Sequence, residues 1–180
     1  VQPSRSKPRQ GMVTVRSDNG YTLAYDEKGM NEFFTYSGSN DWVGVQFTAS
    51  QSGKLEALIL GIYDEEALNY QIRIYDGLSG GVPGNLLATQ SVTAQGQAWQ
   101  TVTLDNPIEL TENAGFFVAV NGIATFAADG KGTVSGKSFF SSNGTSFSPL
   151  VGLSGNVDYS LRALIRTSGG TPEPTQELFT

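Results

Sequence analysis

Apolar and polar residues alternate along five segments of the chain. A repeat of two residues is typical of a strand with one buried and one wet face. In the first segment, Val43, Val45 and Phe47 share one face while their neighbours share the other. The pattern therefore predicts five strands, over Asp41–Thr48, Asn69–Asp76, Ala98–Leu104, Gly115–Asn121 and Asp158–Arg166.

A sixth segment, residues 54–63, is apolar with few interruptions. Its residue types would also fit a short helix, but Gly53 and Gly61 bracket it and its neighbours are strands. A continuous apolar run of this length is typical of a strand that is covered on both sides. We therefore predict a central strand that is buried on both faces.

Turn residues separate the predicted strands, at Asp18–Gly20, at Gly80–Gly84 and at Asn143–Gly144. Asn-Gly between two alternating runs is the strongest short signal for a hairpin, because both residues tolerate a positive φ. Strands at spacings of roughly 8–12 residues, with no helical pattern between them, indicate an antiparallel sandwich. The predicted fold class is all-β, a two-sheet antiparallel β-sandwich of jelly-roll type.

The patterned zone has flanks of a different composition. Residues 1–10 lack apolar periodicity and are expected to form a linker or arm, whereas residues 168–180 form a Gly/Pro/Thr/Glu tract typical of a linker tail. Residues 11–167 are the predicted β-sandwich module. No secretory leader is recognisable, and we expect the chain to be a module cut from a longer precursor. No apolar run approaches the roughly 20 residues that span a bilayer, so no membrane span is expected.

Composition narrows the chemistry. The 180 residues include no cysteine and no histidine, which excludes thiol nucleophiles, disulfides, zinc sites built on Cys or His, and Ser-His-Asp catalysis. The net charge is −6, divided into +4 over residues 1–16 and −10 over the remainder. A body this acidic repels a phosphate backbone, so no nucleic-acid partner is expected.

Carboxylates are the remaining candidates for catalysis. The densest acidic run is Asp64–Glu66, and paired carboxylates do hydrolyse glycosides when burial keeps one of them protonated. Every acid in this sequence falls at a strand edge or a turn, where water keeps it ionised. We therefore predict a domain that is not an enzyme, and a carboxylate hydrolase is the alternative.

Oxygen-rich turns make a structural calcium ion possible, although no cofactor is predicted outright. Calcium takes six to eight oxygen ligands, and loops of a β-sandwich can supply them. The spacing matches no EF-hand loop, and Asx residues also favour turns by bonding their own backbone. The candidate calcium ligands are Asp18, Asp26, Glu27 and Asp129.

Aromatic side chains are the candidates for ligand binding, because sugars stack their flat C–H faces on such rings. In the strand Asn69–Asp76, Tyr70, Ile72 and Ile74 occupy one face, so Tyr75 is predicted to face outward as the best exposed platform. Packing within the sandwich is the alternative for every aromatic residue. The predicted ligand-binding residues are Tyr75, Trp42, Trp99 and Tyr63.

An ordered series of motifs gives the chain a family resemblance. The series comprises Tyr25–Glu27, Ser39–Thr48, Tyr70–Gly77, Gly84–Ala88, Thr101–Pro107, Phe139–Phe147 and Tyr159–Ala163. It resembles the lectin-like β-sandwich modules found beside secreted papain-type and subtilisin-type peptidases of bacteria and archaea, and it is similar to cleaved-adhesin modules of bacterial surface proteins. The Asp-rich calcium loop of some cleaved-adhesin modules has no match here.

The resemblance implies a non-catalytic accessory module of a secreted or cell-surface protein. Its expected partner is carbohydrate or a cell-envelope polymer, bound for adhesion or targeting. The alternative partner is an adjacent domain of the parent protein, such as a peptidase, on which the module would pack.

Overall fold

The computed structural model describes residues 13–17, 19–94, 96–123, 125–150 and 157–167, and this part of the chain contains sixteen strands and no helix. The first eight strands are β1 (Val13–Ser17), β2 (Gly20–Ala24), β3 (Glu32–Thr35), β4 (Trp42–Thr48), β5 (Gly53–Ile62), β6 (Leu68–Tyr75), β7 (Leu78–Ser79) and β8 (Val82–Pro83). The other eight are β9 (Leu86–Ala94), β10 (Ala98–Leu110), β11 (Gly115–Asn121), β12 (Thr125–Asp129), β13 (Ser138–Ser141), β14 (Ser148–Pro149), β15 (Asp158–Tyr159) and β16 (Leu161–Arg166).

The strands form two large antiparallel sheets and one small hairpin. Sheet A has eight strands in the order β1-β2-β16-β5-β12-β15, with β10 paired to β5 and β3 paired to β12. Sheet B has six strands in the order β14-β13-β4-β11-β6-β9, and β7 pairs with β8 alone. The predicted fold class, a two-sheet antiparallel β-sandwich, is confirmed.

The core lies between the inner faces of the two sheets. Val43, Val45 and Phe47 of β4 are buried there, as the alternation predicts. The Phe47 ring lies 5.6 Å from the ring of Tyr25 and 5.3 Å from the ring of Phe116, so a row of stacked aromatics joins the sheets. Full burial of each such side chain contributes about 1.5–3 kcal/mol, and the core therefore holds the sheets together without disulfides.

Four of the five alternating segments form single strands: β4, β6 and β11 lie close to their predicted bounds, whereas β10 runs six residues past the predicted end at Leu104. The fifth, Asp158–Arg166, divides at Ser160 into β15 and β16. The division arises because the Ser160 N–H bonds the carbonyl of Ala127 while the Ser160 carbonyl accepts from the Gly61 N–H, so the chain passes between two partner strands.

Segment 54–63 forms the central strand of sheet A, but it is not buried on both faces throughout. Strand β5 pairs with β10, β16 and β12. Lys54 is exposed and Glu56 is half-buried, whereas the second half of the strand, from Leu58 onward, is mostly buried on both sides. The prediction is therefore right for the position of the strand and for Leu58–Ile62, and wrong for the first half, whose outer face meets solvent, and for Tyr63, which is 38% exposed.

The hairpin predicted at Asn143–Gly144 exists, with a longer loop than the motif suggests. Strands β13 and β14 pair through Phe139 with Pro149, which leaves residues 142–147 as the loop. The Asn143 Oδ1 atom accepts hydrogen bonds from the backbone N–H groups of Thr145 and Ser146, so it organises the loop from inside. Gly144 adopts a φ of 73°, as expected for this turn residue.

The predicted arm of residues 1–10 and the predicted tail of residues 168–180 lie outside the described residues. The domain boundaries therefore remain predictions.

Candidate functional site

The outer face of sheet B carries aromatic side chains that are covered by other parts of the chain. These side chains form a second cluster, separate from the main core, which consists of Trp42, Tyr75, Phe117, Ala119, Phe139 and Phe147. The Phe117 ring is at its centre, with ring-centroid distances of 4.8 Å to Phe147 and 5.9 Å to Phe139. The cover comes from the β7–β8 hairpin and the loop of residues 142–147, which meet where the Phe147 N–H bonds the carbonyl of Gly81.

Tyr75 belongs to this cluster, and the prediction that it is exposed is wrong. Its relative exposure is 9%, although it does point away from the main core as the strand pattern indicates. Its ring lies 6.3 Å from the Phe117 ring, and Leu78 of the β7–β8 hairpin packs on the same cluster. The Tyr75 side chain therefore points away from the main core and is still buried, because the β7–β8 hairpin covers this face of β6.

Trp42 is buried for the same reason, and the structure does not present it as a platform. Its relative exposure is 5%. The Arg73 guanidinium lies 4.5 Å from the centre of its ring, and the backbone of Gly144 passes so close that a Cβ there would come within 2.6 Å of the Trp42 Nε1 atom. A ring enclosed in this way stabilises the cluster and does not stack on a ligand.

The other two predicted platforms, Tyr63 and Trp99, lie on the outer face of sheet A and are accessible. Their relative exposures are 38% and 37%, and Phe33, which the sequence analysis did not single out, is 54% exposed. The Phe33 and Tyr63 rings stack with their centroids 4.9 Å apart. Together, Phe33, Tyr63 and Trp99 form what we call the aromatic patch.

Strand register places the three aromatic side chains on one face. Trp99 of β10 is opposite Gly61 of β5, and Tyr63 follows Gly61 by two residues, so it points to the same side. Phe33 of β3 is opposite Ala127 of β12, which is itself the neighbour of Gly61. Diagonal neighbours on one sheet face lie about 7–8 Å apart, which is within reach of aromatic side chains.

The floor between these aromatic residues is built from small residues because there is no room for larger ones. A Cβ added at Gly61 would come within 2.7 Å of the Ser160 Cβ, 2.8 Å of the Met30 sulfur and 3.0 Å of the Ala127 Cβ. The close approach explains why glycine occupies this position near the end of an otherwise bulky strand. The aromatic rings therefore stand around a floor of Gly61, Ala127 and Ser160, on which the Met30 side chain lies.

An ion pair borders the patch beside Trp99. The Arg162 guanidinium lies 4.2 Å from the centre of the Trp99 ring. Its Nε atom donates to both carboxylate oxygens of Asp26, at 3.0 and 3.1 Å, and its Nη2 atom donates to Oδ2 at 2.8 Å. The Asp26 side chain is fully buried and the Arg162 side chain is 31% exposed. Burial raises the pKa of Asp26, and the hydrogen bonds and charge of Arg162 oppose that rise.

Neither Phe33 nor the ion pair was predicted from the sequence, for different reasons. Phe33 belongs to the four-residue strand β3, which is too short for its alternation to be recognised. Arg162 and Asp26 are 136 residues apart in the chain, so nothing local indicates that they meet. The one available signal was a charged residue, Arg162, in the middle of the alternating segment that became β15 and β16.

The carboxylates proposed as calcium ligands are engaged with protein donors where the structure describes them. The Asp129 Oδ1 atom accepts from Asn31 Nδ2 and from the backbone N–H groups of Lys131 and Gly132, and its Oδ2 atom accepts from the Lys28 N–H. Although burial raises the pKa of Asp129, these hydrogen bonds, led by that from Asn31, outweigh it and lower the pKa below its ordinary value.

The other calcium candidates that the structure describes, Asp26 and Glu27, also have protein neighbours. Asp26 is occupied by Arg162, and an oxygen of Glu27 is 3.5 Å from the Thr133 N–H. Asp18 lies outside the described residues. Within the described ranges, no three His, Cys, Asp or Glu side chains are grouped so that they could hold a metal ion. A calcium site is therefore still only a hypothesis, and the contacts of Asp26 and Asp129 give it no support.

The acidic run Asp64–Glu66 shows no arrangement for acid–base catalysis. The Asp64 Oδ2 atom accepts from the Thr125 N–H at 3.1 Å, so it joins β5 to β12, while Glu65 and Glu66 are exposed.

The buried Asp158 accepts from the N–H and hydroxyl of Ser135 and from the hydroxyl of Ser138. Burial raises the pKa of Asp158, and the hydrogen bonds from Ser135 and Ser138 oppose the rise.

A shallow cleft of about 340 Å³ lies beside the cover of the second cluster. Its lining consists mainly of small or apolar residues and one amide, namely Gln46, Leu78, Gly80, Gly81, Phe139, Phe147, Ser148 and Pro149. The Gln46 amide already donates to the carbonyl of Leu78 at 3.2 Å. The cleft therefore offers few free polar groups to a ligand, and the aromatic patch is the better candidate for a binding site.

The part of the chain that the structure describes contains no helix long and apolar enough to cross a membrane. Its architecture defines the molecule as a β-sandwich domain with exposed aromatic side chains on one outer sheet face.

The chain belongs to the family of lectin-like domains, because the family model described as "Lectin like domain" matches residues 22–164. This family assignment confirms the resemblance drawn from the ordered motifs. No curated protein matches the chain.

Two solved structures share the fold. The first is a cysteine-to-alanine variant of the clostridial cysteine protease Cwp84 after propeptide cleavage, with a TM-score of 0.64 and 18% identity over 92% of this chain. The second contains the cysteine protease and lectin-like domains of Cwp84, a surface layer associated protein of Clostridium difficile, with a TM-score of 0.58 and 19% identity over 76% of this chain. The matched regions span 43% and 36% of those two chains, respectively.

Proposed function

We propose that this domain is a non-catalytic accessory module of a secreted or cell-surface protein, and that it binds carbohydrate or a cell-envelope polymer through the aromatic patch. The observation that carries the proposal is the exposure of Phe33, Tyr63 and Trp99 on one sheet face. Large aromatic side chains are costly to leave in water, and exposed groups of them mark interaction sites.

The shape and chemistry of the patch favour a sugar. A pyranose ring presents a flat apolar face and a rim of hydroxyl groups. The Phe33–Tyr63 stack and the Trp99 ring supply apolar surfaces for the flat face, while the Tyr63 hydroxyl and the Arg162 guanidinium can bond the rim. The sandwich holds all of these groups on paired strands or next to them, so little ordering is needed when a ligand binds.

The accessory role rests on the family and on the chemistry of the chain. One of the two similar solved structures contains a lectin-like domain together with a cysteine protease domain. This chain has no histidine or cysteine, and its described carboxylates are bonded to neighbouring groups or exposed to solvent. Recognition is therefore better supported than catalysis, and a surface location is proposed from the same relatives.

A binding assay with matched variants tests the proposal. Soluble glycans are titrated against the full chain, and binding is measured by isothermal titration calorimetry, so that variants lacking an aromatic side chain are compared by the same readout. We expect Trp99→Ala and Tyr63→Ala each to weaken binding at least about tenfold, as truncation of an aromatic anchor does elsewhere. The control is Leu86→Ala, an exposed apolar side chain outside the patch. Equal weakening by the control, or no glycan binding at all, would contradict the proposal.

A second candidate function is docking on a neighbouring domain of the parent protein. Three further apolar side chains, Val82, Leu86 and Leu87, are exposed within a short stretch of the chain around the start of β9. This candidate predicts that Leu87→Glu lowers the melting temperature of a longer protein with its neighbouring domain, and leaves the isolated chain unchanged. A melting temperature that the substitution does not alter in the longer protein would reject docking at this position.

A further inference from the structure

We propose that the aromatic patch selects uncharged glycans and rejects anionic polymers, because Asp26 neutralises the cation beside it. This inference rests on the proposed function and gives the ligand a chemical class. Its basis is the pairing of Arg162 together with the charges that surround the patch.

A guanidinium beside a binding surface is ordinarily a receptor for carboxylate or phosphate groups, which it holds by two parallel hydrogen bonds. Arg162 is already committed to such a bond, since its Nε and Nη2 atoms donate to the buried carboxylate of Asp26 at 2.8–3.1 Å. An anionic ligand would have to compete with a carboxylate that is held in place by the fold.

The part of Arg162 that stays available suits a neutral acceptor. Its Nη1 atom makes no hydrogen bond to any described residue, while the guanidinium plane lies on the Trp99 ring. A free N–H beside an aromatic face can donate to a sugar hydroxyl or to an acetamido oxygen. The pair Arg162–Asp26 therefore contributes a donor to the site without a net positive charge.

The chain segments that carry Met30, Phe33 and Tyr63 are acidic. Five carboxylates and one lysine lie within three residues of Met30, Phe33 or Tyr63 along the chain: Glu27, Glu32, Asp64, Glu65, Glu66 and Lys28. Fields from exposed charges extend over roughly 10 Å at about 0.1 M salt and further when salt is lower. A polyanion therefore meets repulsion as it approaches, whereas an uncharged glycan does not.

The first measurement compares neutral and anionic probes on the unmodified chain. Laminarin, xylan and chitohexaose serve as uncharged probes, and polygalacturonate and poly(glycerol phosphate) serve as anionic probes. At about 0.01 M salt, where charges act over about 30 Å, we expect the best neutral probe to bind at least about tenfold more tightly than either anionic probe. The ratio of the neutral to the anionic affinity should fall at about 1 M salt, where charges act over only about 3 Å.

The second measurement removes the neutralising carboxylate. Asp26→Asn leaves an acceptor for Arg162 but no longer neutralises the guanidinium charge, so we expect the affinity for polygalacturonate relative to that for the best neutral probe to rise about tenfold. The control is Glu32→Gln, which changes the net charge equally beside Phe33 without touching Arg162, and it should strengthen polyanion binding less than about threefold. Circular dichroism and the melting temperature establish that both variants are folded.

The outcomes separate this inference from the proposed function. The inference is supported if the unmodified chain binds only neutral probes and if, of the two variants, only Asp26→Asn binds polyanions more tightly. Polyanion binding by the unmodified chain that equals neutral binding overturns it and leaves the proposed function intact, and so does an equal gain in the two variants. Failure of every glycan to bind overturns the proposed function, and the inference with it. If Asp26→Asn does not fold, the comparison of neutral and anionic probes on the unmodified chain still tests the inference.

Discussion

The outer faces of the two sheets carry similar aromatic side chains, but only one face leaves them in water. On sheet B, Tyr75 and Phe117 point outward from the strands and are nevertheless buried, because the β7–β8 hairpin and the loop of residues 142–147 cover them. On sheet A, Tyr63 and Trp99 also point outward, and they remain accessible. The comparison teaches that strand alternation assigns a side chain to a face, whereas exposure depends on whether another part of the chain lies above that face.

The largest expected effect concerns the covered face. Phe117→Ala should lower the free energy of unfolding by about 3–5 kcal/mol, because it removes the ring at the centre of the second cluster and leaves a cavity. Urea unfolding at neutral pH measures the loss. The matched control, Phe33→Ala on the open face, should cost less than about 1 kcal/mol. Equal losses of unfolding free energy in the two variants would contradict the conclusion that the outer face of sheet B is covered and that of sheet A is open.

The next effect concerns the ion pair at the border of the open face. Arg162→Met should lower the free energy of unfolding by about 2–4 kcal/mol, because it leaves the fully buried Asp26 carboxylate without its partner; partial exposure of Arg162 moderates the loss. Urea unfolding measures this loss as well. The double variant Asp26→Asn, Arg162→Met should recover part of it, since an amide tolerates burial better than a lone charge. A double variant no more stable than Arg162→Met would contradict this explanation.

The smallest effect concerns the loop of residues 26–31, which carries Met30 to the floor of the patch. Asp129→Asn should lower the free energy of unfolding by about 1–2 kcal/mol at pH 7, because the amide replaces a carboxylate that accepts four hydrogen bonds. The folded state lowers the pKa of Asp129, so the stability that it contributes is present above the ordinary value of 3.8 and is lost as pH falls through the folded value.

Unfolding curves between neutral pH and about pH 3 test this sign. The difference between the unmodified chain and Asp129→Asn should shrink as the pH drops below about 4. A difference that is constant over this range, or that grows in acid, would contradict the assignment. Asp26 and Asp158 act in the opposite direction, because burial raises the pKa of each: their ionisation above the ordinary value of 3.8 costs the folded state stability, and this cost disappears as the pH falls.

Much of the fold could be predicted because alternation and turn chemistry are local properties. The run Gly115–Asn121 became β11 with the predicted bounds, and Gly80–Gly81 forms the tight turn between β7 and β8 with φ values of 57° and 81°. The site was predicted only in part. Tyr63 and Trp99 lie in the aromatic patch, whereas Tyr75 and Trp42 belong to the second cluster. All four have the same residue chemistry, so only the cover above them separates the two pairs.

The order of apolar and turn residues by itself determined that this chain forms antiparallel strands, which residues share a face and which chemistry is absent. These properties follow from the repeat of two residues and from the side chains themselves, and they need no knowledge of distant contacts. Only the tertiary structure decided which outward face stays open, that Phe33 stacks on Tyr63, and that Asp26 meets Arg162 beside Trp99. The physical reason is that solvent access and charge pairing depend on segments that lie far apart in the chain and meet only when it folds.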